Sequence, residues 1–178
     1  MTTTSALPGD YFAIFALDRK LVVDEAALQR KFYELSRQYH PDRFANQPQA
    51  EQAYALDFTA MLNDAFRVLK DPVRRSEYLL KLEGFDIGEQ RSKDVPPELL
   101  EEVFELNMML ESAPDRDELE EARAKFLRMQ DDADTEVAAL AAEYDASGDR
   151  TILGKIRGVL NRRRYIQNLL RDVGKTLA

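Results

Sequence analysis

The chain contains no cysteine and no tryptophan, and a single histidine among its 178 residues. Without thiols there can be no disulfide, no thiolate metal site, no cysteine-ligated cluster and no cysteine nucleophile. One imidazole leaves a serine hydrolase little to work with beyond His40, and no serine sits in a recognisable nucleophile elbow. Phosphate-cradling glycine loops are also missing. Asp131-Asp132-Ala133-Asp134 lacks the glycine and the ligand spacing of a calcium loop. Neither a catalytic residue, nor a metal site, nor a cofactor is expected. No apolar run approaches the roughly 20 residues needed to cross a bilayer. Met1 to Pro8 is polar and lacks the basic-then-apolar order of a secretory signal, so no membrane partner and a cytoplasmic location are expected.

What is present suits a folded helical protein. Hydrophobic residues make up 44% and charged residues 33% of the chain, enough for a core and a soluble surface. The net charge of −8 is unevenly distributed. Residues 97–145 hold 16 acids and 4 bases, whereas residues 146–178 hold 2 acids and 8 bases. This asymmetry predicts pairing between neighbouring helices, with Arg162, Arg163 and Arg164 facing acids of the adjacent helix. An acidic chain argues against a general nucleic-acid partner, because phosphate affinity rests on clustered cations.

Glycine and proline, seven each, fall mainly between periodic segments. Asp10 precedes a brief apolar helix, Tyr11 to Phe15. Asp24 is placed to cap a helix reaching about Tyr39, in which Leu28, Phe32, Leu35 and Tyr39 form one apolar stripe. Arg30, Lys31, Glu34 and Arg37 occupy its other side. His40-Pro41-Asp42 should stop that helix, since proline disfavours helical geometry at the residue before it. Arg43 to Glu51 reads as a polar loop. A second long helix is expected from about Glu51 to Leu69, and Asp71-Pro72 should open a short one ending near Leu82. Beyond the glycine- and proline-containing stretch 83–96, three more helices follow, with breaks near Ser112–Pro114 and Ser147–Gly148. Short turns and apolar stripes predict an antiparallel three-helix bundle.

Four motifs appear in a fixed order over the first half: Asp10-Tyr11-Phe12; the run Leu28 to Tyr39 leading into His40-Pro41-Asp42; Asn63 to Pro72; and Arg74-Arg75 with Tyr78. Together they resemble the J-domain. The continuation, Glu77-Tyr78-Leu79-Leu80-Lys81-Leu82-Glu83-Gly84-Phe85-Asp86 and a helical C-terminal part, is similar to the HscB co-chaperones of iron–sulfur cluster assembly. It looks like the bacterial type, which has no zinc-binding cysteines. The resemblance implies an all-α chain with a tail at residues 1–9, a J-domain at 10–82 built as a helical hairpin with short helices, a linker at 83–96 and the bundle at 97–178.

It further implies a co-chaperone, not an enzyme, that stimulates the ATPase of a DnaK-class chaperone (HscA-like). Docking is expected through His40, Pro41 and Asp42, where proline stiffens a turn carrying two polar groups. Arg30, Lys31, Arg37 and Arg43 would steer an acidic partner surface. Tyr33 and Glu34 stand where J-domains commonly carry bases, which hints at a dedicated partner.

The helix from about Pro97 to Glu111 carries more apolar surface than one bundle contact uses. Leu99, Val103, Leu106 and Leu110 should face the bundle, while Leu100, Phe104 and Met108 form a second stripe bordered by Glu101 and Glu105. In HscB proteins this helix, with an aromatic of the last helix, holds the cluster scaffold (IscU-like). Tyr165 matches that aromatic and is expected to project away from the stripe of Ile152, Ile156 and Ile166. Two other readings stand beside this one: a general J-domain co-chaperone for unfolded clients, and a small helical nucleic-acid-binding or regulatory module.

Overall fold

The computed structural model describes residues 7–85 and 97–178, apart from the side chain of Glu98. Among the described residues regular structure is helical throughout, and the chain divides into two compact units between Leu79 and Leu80. Most of the expected tail and most of the expected linker lie outside the described residues.

The first unit holds α1 (Tyr11–Ile14), α2 (Glu25–Gln38), α3 (Gln49–Leu69) and most of α4 (Pro72–Leu82). Local chemistry sets the starts. Asp10 accepts the Ala13 N–H at 2.9 Å and Asp24 accepts the Ala27 N–H at 2.9 Å, each satisfying an amide that a first helical turn leaves unpaired. At the head of α4, Asp71 does the same for Arg74. α3 starts two residues earlier than the expected Glu51, at Gln49, with Pro48 at its N-cap position. Gln52 reaches back from this first turn to the carbonyls of Ala45 and Gln47.

α2 and α3 bury matching faces. Leu28 and Leu35 are buried on α2; Ala55, Phe58, Leu62, Ala65 and Leu69 are buried on α3. Phe32 stacks on Phe66 with ring centroids 4.2 Å apart. Phe12, Ile14 and Phe15, from α1 and the residue following it, are buried as well. Arg75 is a buried cation, its Nε donating to the Leu21 carbonyl at 2.7 Å and its Nη1 to the Leu69 carbonyl. It therefore fixes the segment before α2 and the end of α3 through charge-assisted bonds.

The second unit holds α5 (Leu100–Glu111), α6 (Arg116–Ser147) and α7 (Arg150–Leu177). α6 begins with a capping box in which Asp115 and Glu118 each accept the other's backbone N–H. It ends at Gly148, whose φ of 68° is the left-handed geometry of a helix stop. α6 and α7 form a long antiparallel hairpin. Arg163 pairs with Asp134 and Arg162 with Glu136, as the charge asymmetry predicted. α5 closes the bundle, Leu99 just before it and Leu106 within it sharing a cluster with Leu119, Ala122 and Phe126 of α6 and Ile166, Leu169 and Val173 of α7. Arg150 binds Glu83 through both its side chain and its carbonyl, and so ties residues 83–85 to the start of α7.

Candidate functional site

α2 ends at Gln38, and Tyr39 closes it by donating its N–H to Leu35. His40 then adopts φ −59° and ψ 129°, the extended geometry that a following proline imposes. Pro41 opens a short 3₁₀ turn through Phe44. His40 caps this turn: its Nδ1 accepts the Asp42 N–H at 3.3 Å. Because Nδ1 accepts, the neutral ring carries its proton on Nε2. The Asp42 carboxylate lies 3.5 Å from the same nitrogen. Both side chains point outward, His40 58% and Asp42 88% exposed.

The turn is held from beneath. Tyr39 packs on Phe58 at 4.1 Å between centroids and stacks on Phe44 at 6.4 Å, while Tyr54 approaches its edge at 6.2 Å. Thr59 donates its hydroxyl to the Tyr39 carbonyl at 3.1 Å. An aromatic knot between α2 and α3 thus fixes the root of the corner, and the polar pair is presented without having to be ordered by a partner.

Arg30, Lys31 and Arg37 lie on α2, the helix that leads into this corner, and Arg43 lies on the 3₁₀ turn. Arg43 reaches back to the Arg37 carbonyl at 3.4 Å. Arg30, Arg37 and Arg43 share the lining of a shallow hollow of about 540 Å³ with Tyr33, Glu34 and Gln38. Lys31 is placed differently, since its ammonium pairs with Glu34 at 3.0 Å.

The second candidate region is α5. Leu99 and Leu106 are buried and Val103 and Leu110 pack against the bundle cluster. Leu100, Phe104 and Met108 are 55%, 66% and 55% exposed, an apolar stripe left open on the other side. Glu101 is exposed, and Glu105 is engaged by the Lys125 ammonium at 3.0 Å. Tyr165 departs from the expectation that it projects away from the core side. It is half-buried and packs against the cluster that holds Leu99 and Leu106. The cause is that the buried face of α7 rotates along its length, from Ile152, Leu153, Ile156 and Leu160 to Ile166, Leu169 and Val173.

Known proteins are similar to this chain in sequence and in fold. Residues 10–78 match the DnaJ domain, and residues 95–174 match the HSCB C-terminal oligomerisation domain. A co-chaperone protein HscB homolog of Azoarcus sp. (strain BH72) is 31% identical over 171 residues, covering 96% of this chain and 95% of that protein. The chain belongs to the HscB co-chaperone family. An HscB homolog of Cupriavidus taiwanensis matches with the same identity and the same coverage. Among solved structures, human co-chaperone HscB superposes with a TM-score of 0.73 at 26% identity, over 93% of this chain and 81% of that one. The chaperone HscB of Vibrio cholerae gives a TM-score of 0.66 at 28% identity, over 93% and 96%. This HscB-family chain is accordingly a J-domain co-chaperone and not itself an enzyme. Among its described residues no helix is long and apolar enough to cross a membrane.

Proposed function

We propose that this protein stimulates ATP hydrolysis by a dedicated DnaK-class chaperone (HscA-like) and delivers to it an iron–sulfur cluster scaffold protein (IscU-like), in the cytoplasm, for cluster maturation and transfer. The J-domain, residues 10–82, carries the first task and the bundle, residues 97–178, the second, with residues 83–96 connecting them. His40, Pro41 and Asp42 dock on the ATPase, steered by Arg30, Lys31, Arg37 and Arg43. Leu100, Glu101, Phe104, Glu105, Met108 and Tyr165 hold the scaffold.

The observation that carries this reading is the fixed, outward-facing polar corner at His40–Asp42. A carboxylate offered on a preorganised turn can form a charge-assisted bond with a partner's cation at little ordering cost. The open stripe of Leu100, Phe104 and Met108 supports the scaffold role, since apolar patches rimmed by acids are the form protein-binding surfaces take.

The test is ATPase stimulation of the purified chaperone by His40→Gln and Asp42→Asn. Both variants should fold as the parent does and lose stimulation. A folded Asp42→Asn protein that stimulates fully would overturn the proposal. For the scaffold role, Leu100→Ala with Phe104→Ala should weaken binding of a purified scaffold protein while helix content is retained. Retention of many unfolded chains, instead of one small scaffold, in a cytosolic pull-down would point to a general client range.

A further inference from the structure

We infer that Tyr33 is the affinity- and partner-setting contact of the chaperone-docking face, and that the ATPase surface it meets is an apolar hollow rimmed by carboxylates. This rests on the docking reading above and specifies its chemistry.

Four features of α2 lead here. Tyr33 is 52% exposed; its ring makes a tilted contact with its neighbour Phe32 at 5.6 Å, and its hydroxyl accepts from Gln29 at the long distance of 3.4 Å. Tyrosine is also a poorer helix former than the Arg, Lys and Glu around it, so helix stability does not account for its presence. Arg30 stands one turn before it and Arg37 one turn after, which makes both its neighbours on the helix surface. These three, with Arg43 from the turn after His40-Pro41-Asp42, line one shallow hollow.

Arg43, which lines the hollow, directly follows Asp42 in the chain. A rigid aromatic ring beside two arginines is the composition from which tightly binding contact centres are built, since the ring brings large area at low ordering cost and arginine a planar fork of charged donors. The cations repel a basic surface and the ring gains nothing from a highly charged one. The partner therefore needs an apolar centre with acids at its edge.

The experiment uses the full chain with a purified DnaK-class chaperone and measures ATPase stimulation against co-chaperone concentration. Tyr33→Ala should raise the half-stimulating concentration by about tenfold or more, with the melting temperature unchanged. Tyr33→Phe should stay close to the parent, because the ring and not the hydroxyl makes the contact. Tyr33→Lys, a better helix former, should behave as Tyr33→Ala, which separates a lost contact from a lost helix. If Tyr33→Ala and Tyr33→Lys stimulate at the parent's concentration while Asp42→Asn is inactive, the inference is wrong and the docking reading stands. If Asp42→Asn also stimulates normally, the docking reading itself falls. If scaffold binding or self-association changes and stimulation does not, Tyr33 serves another surface and the inference is overturned.

Discussion

Tyr11 and Tyr78 stack with ring centroids 4.5 Å apart, and the Tyr11 N–H donates to the Tyr78 hydroxyl at 3.0 Å. The pair joins the first helical turn of the J-domain to α4 across 67 residues of sequence. Burial, then the Asp10 charge and Tyr11, push the Tyr78 phenol above its ordinary value, outweighing the Tyr11 N–H and Arg19. Tyr78→Phe keeps the stack and removes the acceptor, leaving a part-buried amide unpaired. It should cost about 1 kcal/mol in chemical denaturation. The raised phenol also means that stability fully present below about pH 10 is lost as pH rises through the folded-state value.

Asp10 gives the opposite dependence. Burial pushes its carboxyl up, but the N–H of Ala13 and the Arg19 guanidinium, joined by the N–H of Phe12, outweigh burial and hold it below the usual carboxylate value. A group lowered on folding contributes stability above its unfolded value, near pH 4, and the contribution disappears as pH falls through the folded value. Asp10→Ala should cost about 1–2 kcal/mol at neutral pH through loss of the cap and the ion pair. The gap from the parent should close in acid, below about pH 4. Denaturation midpoints across pH 2–7 would show a constant gap if the carboxylate were not responsible.

Two faces of α5 should respond to truncation in different ways. Leu106 is buried in the bundle cluster, and Leu106→Ala should cost about 2–4 kcal/mol through lost burial and the cavity left behind. Phe104→Ala removes an exposed ring and should alter stability by less than about 0.5 kcal/mol. Comparable destabilisation by both in thermal melts would place Phe104 in the core and remove the open stripe.

The turns flanking α6 predict opposite signs for one exchange. Gly148 takes φ 68° at the end of α6, and Ala113 takes φ 54° in the turn after α5. Left-handed backbone strains a residue with a β-carbon and spares glycine. Gly148→Ala should therefore destabilise by about 1 kcal/mol, and Ala113→Gly should stabilise by up to about 1 kcal/mol. Melting temperatures moving in the same direction for both would contradict this.

Much of this protein is legible in its sequence because the deciding interactions are local. Asp10, Asp24 and Asp115 each sit within three residues of the amide they cap, and the apolar spacing on α2, α3 and α6 marks the buried faces directly. His40-Pro41-Asp42 is similarly self-contained, since proline sets the backbone and the imidazole caps the turn two residues on. The 3₁₀ geometry of Pro41–Phe44 and the earlier start of α3 were not legible. They depend on Gln52 bonding back to Ala45 and Gln47, and on Tyr39 meeting Phe44 and Phe58. Arg75 illustrates the harder case: it lies in a pair of arginines, yet it is buried and donates to the carbonyls of Leu21 and Leu69, both distant from its own turn. Tyr165 was misplaced because a single stripe through Ile152, Ile156 and Ile166 does not run along all of α7, whose buried face shifts to Ile166, Leu169 and Val173 in its second half.

The solitary imidazole has a practical corollary. A chain with one histidine gives one set of ring resonances, so the magnetic signature of the corner needs no assignment by mutation. With Nδ1 accepting the Asp42 amide, the two ring nitrogens should differ sharply in ¹⁵N shift, one protonated and one bare. Titrating a nucleotide-loaded chaperone into labelled protein would then report engagement of this corner separately from anything happening on the bundle.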